Sequence, residues 1–270
     1  MKGIILAGGR GLRCGLFTRR VGNKHIIPIY NRPMVEYPLS TLSQAGITEL
    51  AIVTSNHHAG DLTRLIGDGY EFGFDAVSYF VQVGEGGIAH ALKLTKPFLD
   101  QDECFALILG DNFFSMDISD AIKQYHETKE SAMVFLEPVP DPQRFGIAEI
   151  GNDGRIASIV EKPQYSNSNL AVTGLYFLDT KCFDFIDTLK PSERGELEIT
   201  AVLEFYMRNH DLAWTMVNSK WSDTGLPESM FTTASWIRDH EQELNDSGRF
   251  SKYRFKLKDG SLGDYMQDMR

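Results

Sequence analysis

Ile4-Ile5-Leu6 runs directly into Ala7-Gly8-Gly9, with Gly11 one residue beyond. An apolar run this short reads as a buried parallel strand, not a helix. Glycines at its exit let the backbone take φ > 0 and bring its N–H groups against a ligand. Consecutive N–H groups of that kind form an anion-binding concavity. Arg10 and Arg13 add fixed charge, and Arg13 can hold two phosphate oxygens at once. Two well-known phosphate loops do not fit. The Walker spacing is absent, and the dinucleotide fingerprint would need a glycine where Cys14 stands. The chain continues instead through Arg19, Arg20 and Lys24, which suits a free triphosphate better than a dinucleotide. For the glycines alone, a tight strand-to-helix turn with solvated arginines is an equal explanation.

The first half of the chain alternates strands and helices. Strands are expected at Leu50–Val53, Val77–Val81, Phe105–Leu109 and Ala132–Leu136. Helices are expected at Met34–Gly46, Leu62–Ile66, Ala89–Leu94 and Ile118–Glu127. This order predicts an α/β fold, a doubly wound and mostly parallel sheet that binds ligands beyond the carboxyl ends of its strands. From about Pro140 the pattern changes. Ile147–Ile150 and Ile156–Val160 flank the hairpin turn Asn152-Asp153-Gly154, and Val172–Leu178 is another strand. We expect an antiparallel elaboration over the sheet edge that carries a substrate pocket. Helices are expected at Phe183–Leu189, Glu198–Arg208 and Pro227–Leu244, and a strand at Trp214–Val217.

A net charge of −10 argues against a protein that coats nucleic acid, although a local pocket can still be positive. The three cysteines, Cys14, Cys104 and Cys182, form neither a disulfide framework nor a metal-ligand spacing, so a reduced compartment such as the cytoplasm is expected. The first strand starts almost at Met1, so no signal peptide is expected. No apolar run approaches the ~20 residues of a membrane span.

Single residues are suggestive only in combination. Asp111 follows the most apolar strand in Leu109-Gly110-Asp111-Asn112, at the ligand-facing edge of the sheet. Asp223 stands in Trp221-Ser222-Asp223-Thr224-Gly225. Magnesium takes oxygen ligands and shares them with phosphates, but turn-forming aspartates look the same in sequence. Lys24 follows the glycine loop. Lys162 ends a strand in Glu161-Lys162-Pro163. Gln82 ends the third strand before Gly84, Gly86 and Gly87, where an amide could read the edge of a base. No Ser–His–Asp or Cys–His arrangement stands out, and His25, His57, His58 and His90 read as packing or surface residues.

LAGGRGLR, NKHIIPIYNRPM, LGDN, DPQRFGIAEI, EKP, AVTGLYFLD, RGELEIT and WSDTG occur in that order. The ordered set resembles the sugar-1-phosphate nucleotidylyltransferases, most of all the members that use thymidine nucleotides, from Met1 to about Asp239. The resemblance implies a Rossmann-like nucleotidyltransferase domain over 1–239. Its nucleotide-binding part would be 1–139 and its sugar-binding part 140–239, with 240–270 a tail of open role. It implies transfer from dTTP or UTP to a sugar-1-phosphate such as glucose-1-phosphate, with Mg²⁺ and in a homo-oligomer. Leu6, Gly8, Gly9, Gly11, Gln82, Gly87 and Asp111 would bind the nucleotide. Arg13, Lys24 and Lys162 would act on the phosphates. Gly146, Glu161, Thr173 and Gly174 would hold the sugar, and Asp111 and Asp223 the metal. The residue types suit that chemistry. A phosphate monoester, with its second pKa near ~6, is already an ionised nucleophile and needs no general base. What it needs is positive charge.

The chain departs from the family pattern in places. Leu12 stands for a usual Thr, and Cys14 and Gly15-Leu16 for a usual Leu and Pro. The stretch from Thr18 to Lys24 looks one residue longer. Ala201 replaces Asp after GELEIT, and His90 stands where Gln is frequent. The tail after Asp239 does not match the family's helical C-terminus.

Overall fold

In the computed structural model, β1 (Lys2–Ala7) lies inside a nine-stranded sheet, hydrogen-bonded in parallel to β4 (Glu49–Ser55) and to β6 (Cys104–Leu109). The structure describes residues 1–9, 11, 14, 15, 18 and 22–247, and the backbone of 254–256 and 262–264. Arg10, Leu12, Arg13, Arg19 and Arg20 lie outside the described residues, so the expectation for Arg13 is not addressed by it.

The strand order is β10-β9-β11-β6-β1-β4-β5, with β8 on β11 and β12 on β8. Here β5 is Ala76–Gln82, β8 Ala132–Pro138, β9 Gly146–Ile150, β10 Ile156–Glu161, β11 Leu170–Asp179 and β12 Leu212–Met216. Successive side chains of β1 enter opposite cores, as the period-2 pleat requires. Ile4 and Leu6 pack with α3 (Ile88–Lys93), α5 (Lys181–Ile186) and α6 (Ile199–Arg208), whereas Ile5 and Ala7 pack with α1 (Glu36–Gln44), α2 (Ala59–Ile66) and α4 (Ser119–Glu127). Helices on both faces make the sheet doubly wound, as expected.

Two details differ from the reading of the sequence. The antiparallel part is not confined to the sheet edge: β11 runs antiparallel between β6 and β8, so β8 is not the next strand of the parallel run. Nine of the ten residues of β11 are buried, all but Leu170 at its start, as an interior position demands. The second concerns the long helix expected from Pro227 to Leu244. It breaks at His240 into α7 (Pro227–Asp239) and α8 (Glu241–Asp246). His240 leaves the helical region at φ −117°, its ring stacked 4.1 Å from that of Trp236 and its Nδ1 2.8 Å from the Trp236 carbonyl oxygen. The turn lets α8 reach back to the hairpin of β2 (Pro28–Ile29) and β3 (Arg32–Pro33). There Tyr30 and Asn31 donate to Glu241 at 2.9 and 3.1 Å. The start of the tail is thus docked, and Leu244 joins Ile29, Met34, Phe113 and Ile237 in a third core.

Glu36, at the start of α1, is only 3% exposed, and burial raises its pKa to about 7 against the opposing pull of Arg32. The folded protein therefore keeps the proton where the unfolded chain, with a value of 4.5, has lost it. Stability should fall between those two values as pH rises, by about 1.4 kcal/mol per unit. Glu36→Gln removes that loss. The variant is expected to match the parent near pH 4 and to exceed it by about 3 kcal/mol at pH 8. Urea denaturation at the two pH values checks this; an equal difference at both would show that charge is not the cause.

Candidate active site

Parallel pairing places three chain exits at one sheet edge. Leu6 is level with Leu109, and Ser55 with Gln82. Gly8, Asp111 and Gln82 therefore emerge together beyond the carboxyl ends of β1, β6 and β5. Close approach explains two of the glycines. A Cβ on Gly8 would lie 2.8 Å from Gln82 Oε1, and one on Gly11 (φ +66°) would lie 2.7 and 2.9 Å from Thr18 and Lys24 carbons. Cys14, one of the departures from the family pattern, is buried and donates its thiol to the Gly225 carbonyl at 3.3 Å. It ties the glycine loop to the turn that carries Asp223.

Lys24 is held in a short 3₁₀ turn, Lys24–Ile26, capped by Asn23. Its Nζ lies 2.5 Å from Asp111 Oδ2, and both side chains are almost buried. Burial would push the Asp111 carboxyl up, but the Lys24 charge and hydrogen bond, with help from His25 and Asn112, hold it well below the usual carboxylate range. His25 is fully enclosed beside this pair. Burial first, and then the Lys24 charge, lower its pKa to about 3, so it is neutral and a packing residue, as expected.

Asn112 is a hub that sequence reading gave no role. Its Nδ2 donates to Asp111 Oδ1 (3.1 Å), while its Oδ1 accepts from Trp221 Nε1 (2.7 Å) and from the Gly174 backbone N–H (3.1 Å). Asn112 and Asp223 face each other across the small antiparallel pair of β7 (Asn112–Phe114) and β13 (Trp221–Asp223). That register brings Asp111, one residue before β7, close to Asp223, the aspartate it was expected to act with. Thr224 fastens the turn by donating backbone and hydroxyl hydrogens to the Asp111 carbonyl, at 2.8 and 2.6 Å.

A cleft opens in front of these groups. It gathers Asp111 and Asp223 with Gly146, Glu161, Lys162, Thr173 and Gly174, all predicted site residues. The register of β11 on β8 shifts between Val172 and Tyr176, which re-aims Thr173 and Gly174. Thr173 Oγ1 is buried in the wall with no protein partner among the described residues. Gly146 begins β9 opposite Glu161, the last residue of β10. The next residue, Lys162, has a left-handed backbone (φ +44°), unusual for a side chain with a Cβ and typical of functional sites. Its Nζ lies 3.0 Å from Glu161 Oε1. Lys24, Gln82, Gly8 and Gly87 lie outside this cleft, and the Lys24–Asp111 pair joins the two halves.

Arg144 also lines the cleft and was missed in sequence, although it lies inside the DPQRF motif. It donates to Asp223 at 3.0 Å and to Asp141 at 2.8 Å. Among the described residues, Lys24 thus pairs with Asp111 and Arg144 with Asp223. Among the described residues no group of three or more His, Cys, Asp or Glu could hold a metal without further ligands.

A glycine loop, paired cations and two carboxylates thus stand at the sheet edge, beside a polar cleft. Residues 2–240 match the family model described as nucleotidyl transferase, and the chain belongs to that family. Among its relatives is the glucose-1-phosphate thymidylyltransferase of Neisseria meningitidis, 41% identical over 88% of this chain and 83% of the relative. The enzyme of that name from Mycobacterium tuberculosis is 37% identical over 90% and 84%. A Bacillus anthracis protein assigned the same name and crystallised with sucrose superposes with a TM-score of 0.83. It is 43% identical, over 88% of this chain and 96% of that one. A UDP-glucose pyrophosphorylase bound to UDP-glucose shares the fold, with a TM-score of 0.76 at 23% identity over 88% and 98%. No helix among the described residues is long and apolar enough to cross a membrane.

Proposed function

We propose that the protein joins the nucleotidyl group of dTTP, or of UTP, to a sugar-1-phosphate, with glucose-1-phosphate the leading acceptor, and releases pyrophosphate. The observation that carries this reading is the junction of the two half-sites, where Asp111 pairs with Lys24 on the glycine-loop side and lines the cleft of Glu161 and Lys162 on the other. The nucleotide lies over 1–139 and the sugar over 140–239.

An oxygen of the sugar phosphate attacks the α-phosphorus in line, the bond to the β-phosphate oxygen breaks, and pyrophosphate departs with the electron pair. No proton has to be removed from the nucleophile. The work of the protein is to bring two anions together, and positioning alone supplies roughly 7–11 kcal/mol of such a barrier. Lys162 grips the sugar phosphate, and Lys24 neutralises charge on the transferred phosphate. Glu161, Gly146, Thr173 and Gly174 orient the sugar, and the Thr173 hydroxyl is free to take a sugar hydroxyl. Leu6, Gly8, Gly9, Gly11, Gln82 and Gly87 hold the nucleotide. The place of Arg13 at the departing phosphates rests on its motif.

Asp111 and Asp223 suit Mg²⁺, which is usually held by one or two carboxylates together with substrate phosphates. When bound there, the ion would neutralise phosphate charge and orient the triphosphate. A homo-oligomeric state and a cytoplasmic location belong to the same reading.

Pyrophosphate release, with dTTP, UTP, CTP, ATP and GTP crossed against a panel of sugar-1-phosphates, tests it. Release is expected with dTTP or UTP and glucose-1-phosphate, and it should vanish on chelation with EDTA and return with Mg²⁺. Release with another pair would move the departures at Leu12 and Ala201 into the specificity account. Folded protein that binds nucleotide but never releases pyrophosphate would overturn the enzymatic reading in favour of a nucleotide-sugar sensor.

A further inference from the structure

Gln82 is almost fully buried at the end of β5, and the orientation of its amide follows from its neighbours. The Gly87 carbonyl, which can only accept, lies 3.3 Å from one terminal atom, so that atom is the NH₂ nitrogen, Nε2. The same nitrogen lies 3.0 Å from His90 Nδ1. Because Nε2 donates, Nδ1 is the accepting nitrogen of the ring. Both amide hydrogens are then used, one by Gly87 and one by His90. Oε1 is left facing Gly8, where a Cβ would come within 2.8 Å of it, and no donor among the described residues takes it.

The position of His90 is itself enforced. A Cβ on Gly86 would fall 2.3 Å from Nδ1, so only glycine allows the ring to reach Gln82. The backbone of Gly86 accepts from Leu197 N at 2.8 Å, and Leu197 O accepts from Ala89 N at 3.0 Å, which holds both sides of this turn.

The geometry points to His90 as the positioning residue that sets base choice: it locks the Gln82 amide so that only an acceptor faces the nucleotide. Thymine and uracil carry a hydrogen on N3 and satisfy that acceptor. Cytosine carries a lone pair on N3, so two acceptors would meet with no hydrogen between them, and a buried polar group left unpaired in this way is costly. Without His90 the second amide hydrogen loses its partner, the amide is freer to turn over, and the discrimination weakens. The inference rests on the proposed role of Gln82 as the reader of the base.

The test measures dTTP, UTP and CTP affinities by calorimetry, with kcat and KM alongside, for the parent and for His90→Leu, His90→Asn, His90→Ala and Gln82→Ala. In His90→Leu the preference for dTTP over CTP should drop about tenfold, the cost of one misdirected buried hydrogen bond. The KM for dTTP should rise while kcat changes by less than about twofold. His90→Asn should recover most of the preference, because its Oδ1 can accept where Nδ1 did. His90→Ala carries the same expectation as His90→Leu without a bulkier apolar group, should the leucine variant not fold. An unchanged preference in both His90→Leu and His90→Ala, or an asparagine variant no better than leucine, overturns the proposal. Gln82→Ala separates the two layers. If it abolishes the preference and the His90 variants do not, His90 alone is excluded. If it too leaves the preference intact, the base-reading role of Gln82 falls and the proposal with it.

Discussion

Asp111→Ala is expected to lower nucleotidyl transfer by about a thousandfold or more, and Asp111→Asn by nearly as much. The alanine variant loses two things at once. It removes a carboxylate at the junction of the half-sites, and it leaves Lys24 buried without the partner 2.5 Å away. Breaking a buried pair from one side costs about 3–5 kcal/mol of stability, so the alanine variant should also melt earlier. Asparagine keeps the shape and the contact with Asn112, and it separates the charge from the packing. The pH profile gives an independent check. The folded Asp111 is held below its unfolded value of 3.8, so the stabilisation from the pair is complete above that value and is lost as pH falls through the folded one. Asp111→Asn should therefore lose stability relative to the parent at pH 7 and little at the acid extreme. Saturation kinetics of pyrophosphate release with denaturation curves measures both. A kcat within tenfold of the parent in folded Asp111→Asn would remove Asp111 from the chemistry.

The second large effect is expected at Gly87. Its backbone sits at φ 87°, ψ 176°, a region that is essentially glycine's alone. An added Cβ would meet the Leu197 carbonyl oxygen at 2.5 Å and its nitrogen at 2.9 Å, both rigid backbone atoms. Gly87→Ala must push the 86–89 turn away from Leu197. That breaks the contacts of Leu197 with Gly86 and Ala89 and moves the carbonyl that orients Gln82. The disturbance reaches the sugar side as well, because Arg194, three residues before Leu197, donates to Glu161 at 3.4 Å and to Glu198 at 3.2 Å. We expect KM for the nucleotide to rise tenfold or more and stability to fall by about 1–3 kcal/mol. Gly84→Ala is the control: its φ is also positive, +79°, but nothing lies within 4 Å of the added carbon. It should show the backbone cost without the kinetic one. Equal KM values in the two variants would show that the Leu197 contact is irrelevant to binding.

Much of this was legible from the chain because it depends on neighbours in sequence. Short apolar runs alternating with amphipathic segments specify a doubly wound sheet, since each run must be buried on both faces and each helix on one. The exits Gly8 and Asp111 followed from where those runs stop, and parallel pairing then sets them level whatever the loops do. The ordered motifs supplied the family, and they led to Glu161, Lys162, Thr173 and Gly174, which do line one cleft. Other features were decided only by tertiary structure. Periodicity shows that β11 is buried but not that it is threaded antiparallel between β6 and β8, because strand order is set by contacts far apart in sequence. The same holds for Asn112, whose partners Gly174 and Trp221 are 62 and 109 residues away, and for Arg144, which meets Asp223 across 79. Helix periodicity ran on past His240, where stacking on Trp236 and a carbonyl contact turn the chain. Gln82 and His90 stood eight residues apart, as an amide that could read a base and a packing or surface histidine with no link between them. Only the glycine at 86, by letting the ring come close, makes them one unit, because a hydrogen bond depends on where two side chains end and not on how far apart they begin.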